Sequence, residues 1–174
     1  YDEEELIKIS IEDVGKYHGD ICPCVVVAFR ATQLAISELW KNEIPKREDF
    51  KIISSLPTAG AEDTFEFITR VKRRNDLSSD LPEGTSNLRT SEKNYSFVFI
   101  RKSSDEQIKI SVKKKIVQKK VNDCFDLRTK IKLKTATYEE KKEFKLAKQK
   151  LKKTFLNLPA EKLFEFKYGK DRIK

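Results

Sequence analysis

From Cys24 to Trp40 the chain carries Val25, Val26, Val27, Ala28, Phe29, Ala31, Leu34, Ala35, Ile36, Leu39 and Trp40, with Arg30, Gln33 and Glu38 as the exceptions. A helix with apolar residues on nearly every face cannot lie along a surface, so this one is expected to run through the middle of a domain. No other feature constrains the fold as much, because every remaining element has to be arranged around it. Pro23 suits the first position of such a helix, which puts Cys22 in the N-cap place. The apolar stretch falls short of the roughly 18 uninterrupted residues of a membrane span, and no membrane association is expected.

The flanking segments predict smaller elements. Ser10-Ile-Glu-Asp13 has the form of a capping box and launches a short helix ending near Gly19. Phe50 to Ser55 reads as a strand, and Pro57-Thr-Ala-Gly60 turns into a helix over 61–72 with Phe65, Ile68 and Val71 at helical spacing. Residues 73–91 read as a polar loop. Tyr95, Phe97 and Phe99 alternate with polar or opposite-facing residues. After a turn at 103–105, Ile108, Ile110 and Val112 do the same, which predicts a hairpin. Thr137-Tyr-Glu-Glu140 is a second capping box, opening a helix with Phe144, Ala147, Leu151 and Phe155 on one stripe. Residues 159–166 suit an edge strand. Helices and hairpins in this order predict an α+β fold, with a mixed or antiparallel sheet and helices on one face. The expectation is a single domain over 1–174, with 135–174 as its basic helical C-terminal extension.

Charge divides the chain unevenly. The formal net charge is +9, yet residues 101–174 hold 24 Lys+Arg against 10 Asp+Glu. Such a half suits an acidic partner or nucleic acid, or is simply a lysine-rich solvated face. The clusters at 113–115, 119–120 and 150–153 lack interleaved aromatics for base stacking, which weakens the nucleic-acid reading. No leader segment stands out, so a cytoplasmic location is expected. Three cysteines, an odd count, argue against a disulfide framework. No phosphate-binding glycine loop, dinucleotide fingerprint or Ser/His/Asp triad is present. A single histidine excludes a multi-histidine centre.

That histidine begins the most chemically loaded stretch. His18, Asp20, Cys22 and Cys24 fall within seven residues, where the chain leaves one helix and enters the next. His18, Asp20 and Cys22 are candidate ligands for zinc or another divalent transition metal. Alternatively, Cys22 is a nucleophile with His18 as its base, since a helix N-terminus favours the thiolate. Against both stand plainer readings: Cys24 packs as a small hydrophobe, and His18 caps its helix. Glu62 and Asp63 either reach the same site or complement a helix dipole. Thr85, Ser86 and Asn87 form a polar loop suited to a small anionic ligand, next to a basic patch of Arg70, Lys72, Arg73 and Arg74.

Tyr17-His-Gly-Asp-Ile-Cys-Pro-Cys24, followed by Val25-Val-Val-Ala-Phe-Arg-Ala31, resembles the signature of the E-subunit family of formylmethanofuran dehydrogenase. There a His-Gly-His-x-Cys-Pro-Gly motif runs into an apolar helix with an aromatic-Arg-Ala step. Pro45-Lys-Arg-Glu-Asp49 and the strand after it are similar to the family's next segment. Asp63 resembles the aspartate of its Cys-x-x-Asp helix start, and Gly84-Thr-Ser-Asn-Leu88 looks like the remnant of its glycine-rich loop. The hairpin at 95–112 and Leu158-Pro-Ala-Glu-Lys-Leu-Phe164 match in type.

The resemblance implies an α+β fold like the catalytic domain of glyceraldehyde-3-phosphate dehydrogenase, a homodimer, and a metal held around the His/Cys motif. It also implies a small-molecule ligand, with Asp63, Thr85 and Asn87 as binding residues, and a setting in one-carbon or redox metabolism related to methanogenesis. The chain departs from the pattern in several places. Asp20 replaces the second histidine, and Gly60 stands where the family has a separate cysteine. The glycine-rich loop has lost its cysteine and two glycines, and no zinc-ribbon cysteines follow Cys124. A divergent stand-alone relative is expected, with three functions in view: a metal-binding domain, a thiol enzyme using Cys22, or a basic binding module. Whether it is an enzyme stays open at this point.

Overall fold

In the computed structural model, residues 5–81, 95–118 and 122–169 are described. The apolar segment becomes helix α2 (Pro23–Leu39), with Cys22 at its N-cap and Pro23 in its first turn. Helices α1 (Ile11–His18), α3 (Ala59–Thr69) and α6 (Tyr138–Asn157) all pack against it. Five strands make the other layer: β1 (Phe50–Ser54), β2 (Leu77–Ser79), β3 (Ser96–Arg101), β4 (Glu106–Val112) and β5 (Phe164–Gly169). Their order is β2-β1-β3-β4-β5, parallel between β1 and β2 and antiparallel elsewhere. The fold is therefore α+β on a mixed sheet.

Alternation along the strands decides which face is covered. Phe50 and Ile52 of β1, Phe97 and Phe99 of β3, and Ile108, Ile110 and Val112 of β4 are buried under the helices. Lys51 and Lys109 point the other way and are exposed. Phe65 of α3 meets Phe97 and Phe99 edge-on, at centroid distances of 5.4 and 5.8 Å. At the far end of α2, Trp40 stacks on Phe50 at 4.4 Å, and its indole N–H donates to Asp49 over 3.0 Å. Each such buried aromatic contributes about 1.5–3 kcal/mol through the area it removes from water.

The second half of the chain completes this core. Leu151 and Phe155 of α6, with Leu163 and Phe164, are buried in it, so the lysine-rich helix is amphipathic and seated by its apolar stripe. Its C-terminal carbonyls are gripped from α2. Arg30 donates through Nη1 to the carbonyls of Phe155 (2.8 Å), Leu156 (3.2 Å) and Leu158. A cation is suited to that end of a helix, and here it explains an arginine in a largely apolar helix. Both capping boxes form, Ser10 with Asp13 and Thr137 with Glu140.

Three elements depart from the sequence expectation. Helix α3 starts two residues earlier than predicted, at Ala59 behind the Thr58 N-cap. It stops at Thr69 because Arg70 turns left-handed (φ 55). Residues 77–79, expected as loop, pair in parallel with β1. Beyond the short α4 (Lys114–Ile116), a helix α5 (Asn122–Lys132) that periodicity did not announce packs on α6. The expected edge strand is β5, preceded by the single turn α7 (Ala160–Leu163). No helix among the described residues is long and apolar enough to cross a membrane.

Candidate functional site

Three helix ends meet here: the end of α1 and the starts of α2 and α3. Helix α1 closes on Gly19, whose left-handed backbone (φ 94) sends its N–H to the Gly15 carbonyl at 2.8 Å and turns the chain sharply. His18 is thereby left at the end of α1, only four residues before Cys22 opens α2. The first turn of α3 abuts the same point, because a β-carbon at Gly60 would lie 2.8 Å from Cys22 Sγ. Three residues further into α3, Asp63 places Oδ2 2.8 Å from Nδ1 of His18.

Charge follows from this placement. The hydrogen bond to Asp63 raises the His18 pKa above its usual 6.5, against the desolvation of the ring, and the neighbouring Cys22 raises it further. Cys22 is lowered from 9.0 to about 5. The largest cause is a hydrogen bond donated by the Cys24 thiol, opposed by burial; the N–H groups of Val25 and Cys24 and the charge on His18 assist. Cys22 makes no side-chain capping bond of full geometry, but it sits where those N–H groups point. Cys24 is pushed well up by the same contact and by burial, and so keeps its proton. Both shifts run the same way: they favour the thiolate at Cys22 and the charged imidazole at His18.

A cavity of about 450 Å³ opens over the thiol. All three cysteines line it, Cys22 and Cys24 from α2 and Cys124 from α5. Tyr95 is buried in its wall, and Ile131, Phe144 and Leu151 supply apolar surface from α5 and α6.

The structure thus brings His18, Cys22 and Asp63 together, and Cys24 both packs against the core, as expected of a small hydrophobe, and donates to Cys22. Asp20 lines the cavity but pairs with Lys148 of α6 at 2.8 Å. Glu62 turns away from the site to Lys72, at 3.3 Å. Arg73 and Arg74 of the expected basic patch are likewise paired, with Glu66 and Asp76. Thr85, Ser86 and Asn87 lie outside the described residues. Sequence reasoning missed Cys124 and Arg128 as members of the site. The one available signal was that every cysteine in a chain without disulfides needs a place.

A structural zinc ion takes four donors, and a catalytic one three from protein. Among the described residues no group of three or more His, Cys, Asp and Glu side chains is arranged to hold a metal. His18 and Cys22 offer one nitrogen and one sulfur, while Asp63 is engaged with Nδ1 of the ring and Asp20 with Lys148. These residues alone do not fit a zinc site.

Fold and site together define an α+β domain with a thiol–imidazole–carboxylate array at the floor of a cavity. The family model described as FmdE, molybdenum formylmethanofuran dehydrogenase operon, matches residues 17–165. The chain belongs to the FmdE family. It is also similar to the crystal structure of an FmdE-like protein of tungsten formylmethanofuran dehydrogenase type from Syntrophus aciditrophicus. The TM-score is 0.52 at 14% identity, over 94% of this chain and 71% of that one. At that identity the likeness shows the shared fold. No curated protein matches the sequence.

Proposed function

We propose that this FmdE-family domain performs thiol chemistry on a small molecule, with Cys22 as nucleophile, His18 as proton donor and Asp63 orienting the ring. The observation that carries this reading is the hydrogen bond of His18 to Asp63 beside Cys22, with His18 and Cys22 lining one cavity. An ionised thiol is the form that attacks, and an imidazole held by a carboxylate is the usual companion of such a nucleophile. With Nδ1 turned to Asp63, Nε2 is the nitrogen left to serve the reaction. The Cys22 sulfur would add to an electrophilic carbonyl carbon, the carbonyl electron pair would pass to oxygen, and His18 would give that oxygen its proton. Family membership supports a setting around formylmethanofuran dehydrogenase and one-carbon metabolism. Labelling the native protein with iodoacetamide and mapping the product by mass spectrometry tests the reading. Fast labelling of Cys22 near pH 7 is expected, and an inert Cys22 removes it.

One observation favours a second reading, a bound zinc or other divalent transition metal. Metal-bound histidines commonly give their other ring nitrogen to a carboxylate, as His18 gives Nδ1 to Asp63. His18 and Cys22 would be the protein ligands, with donors from a bound small molecule completing the set. Elemental analysis of purified protein, with and without Cys22→Ser, checks this. Metal lost on substitution supports it, and no metal in either sample ends it.

A further inference from the structure

Helix α5 presents a stripe to the cavity that no reading of the thiol site requires. Cys124, Arg128 and Lys132 follow one another at four-residue spacing, so they share one face of the helix, and all three line the cavity. Arg128 is half-buried there. Among the described residues no carboxylate forms an ion pair with Arg128 or Lys132, whereas nearby cations are matched: Lys130 with Glu140, and Lys148 with Asp20. The guanidinium is also near enough to favour the ionised forms of Cys24 and Tyr95 across the space. A half-buried guanidinium without an anion carries a desolvation cost that a bound anion would offset. Asp20, the carboxylate that lines the cavity, is already matched by Lys148.

We propose that this cavity binds a small organic monocarboxylate, its carboxylate on Arg128 and Lys132 and its apolar body along Ile131, Phe144 and Leu151 towards Cys22. As a substrate for the thiol such an acid would carry a second, electrophilic carbonyl at the end of its body nearest Cys22; that part rests on the function proposed above, but the binding site itself does not depend on it. The planar guanidinium fork matches a carboxylate in two-point fashion. The apolar wall selects a hydrocarbon body over a bare oxyanion, and 450 Å³ lies within the usual range for small-molecule pockets.

Calorimetric titration of the full chain with hexanoate, hexanamide and inorganic phosphate tests this, alongside Arg128→Gln and Lys132→Gln. Hexanoate should bind about tenfold or more tightly than hexanamide, and Arg128→Gln should abolish that preference while the thermal melt shows the fold retained. Should Arg128→Gln not fold, Lys132→Gln, whose side chain is exposed, should still reduce the preference several-fold. Equal binding of hexanoate and hexanamide, or an unchanged preference in both variants, overturns the proposal. So does phosphate binding as tightly as hexanoate. Iodoacetamide labelling of Cys22 is read separately: hexanoate binding beside an inert thiol supports the anion site and removes only the covalent chemistry.

Discussion

Gly60 and Cys22 share one small volume: a β-carbon on residue 60 would stand 2.8 Å from the Cys22 sulfur. The same carbon would lie 3.3 Å from the β-carbon of Cys24 and from Val25 Cγ2, so it meets sulfur and packed side chains rather than the end of a flexible chain. The sulfur of Cys22 thus occupies the room that a side chain at residue 60 would need.

Gly60→Ala should therefore displace the thiol. Overpacking of this kind costs about 1–3 kcal/mol, and the sulfur should leave the group of N–H and S–H donors that keeps it ionised. A lowered melting temperature, together with slower iodoacetamide labelling at pH 6, is the expected pair of results. Unchanged labelling kinetics would show that the sulfur does not depend on the space at residue 60.

Labelling of Cys22 should be nearly flat between pH 6 and 8 and should fall with a midpoint near 5. An ordinary thiol, with a pKa near 9.0, would lose reactivity steadily across that whole range. An acid depressed in the folded state contributes its full stability above its unfolded value of 9.0. The contribution shrinks as the pH falls and is gone below about 5. Stopped-flow alkylation from pH 4 to 9 checks the profile, and a midpoint above 8 would contradict it.

Asp63→Asn should move that midpoint upward. The carboxylate is the first cause of the raised His18 pKa, and a less readily charged ring stabilises the Cys22 thiolate less. In the native chain the His18–Asp63 pair is fully present below pH 6.5 and is lost as pH rises through the folded-state value above it. Removing it should cost about 1 kcal/mol near pH 6 and less at pH 9. Chemical denaturation of both proteins at the two pH values measures the difference. Equal costs would place the pair outside the titrating network.

Arg30→Met should loosen α6 before anything else. It leaves the carbonyls of Phe155, Leu156 and Leu158 without their shared donor, at a cost of about 1–3 kcal/mol. Hydrogen exchange should rise first across 138–157, with the sheet protected as before. Uniform loss of protection across the chain would instead show that α6 and the sheet open as one unit.

Local patterns made much of this molecule legible. The hairpin of β3 and β4 is written in the alternation from Phe97 to Val112. Ser10, Cys22 with Pro23, and Thr137 mark three helix starts by cap chemistry that involves only neighbouring residues. What stayed hidden depends on distant partners. β2 is three residues long and becomes a strand only by pairing with Ile52–Ser54. Helix α5 is polar on average, so its cavity-lining stripe of one cysteine and two cations has no apolar period to reveal it. Residue type alone did not separate Glu62 from Asp63 as the carboxylate at His18, because the answer rests on which face of α3 meets a helix 45 residues away. The same holds for Asp20, whose carboxylate answers to Lys148 at a separation of 128 residues.

The two main sides of the cavity come from separate halves of the polypeptide. Its reactive floor is assembled within residues 18–63, and its facing wall from α5 and α6, tethered by Arg30 and by the Asp20–Lys148 pair. Nucleophile strength and guest preference are consequently encoded in separate stretches of chain. Divergence, or deliberate engineering, can rewrite the stripe at Cys124, Arg128 and Lys132 to admit a different guest while the sulfur and its imidazole are inherited intact.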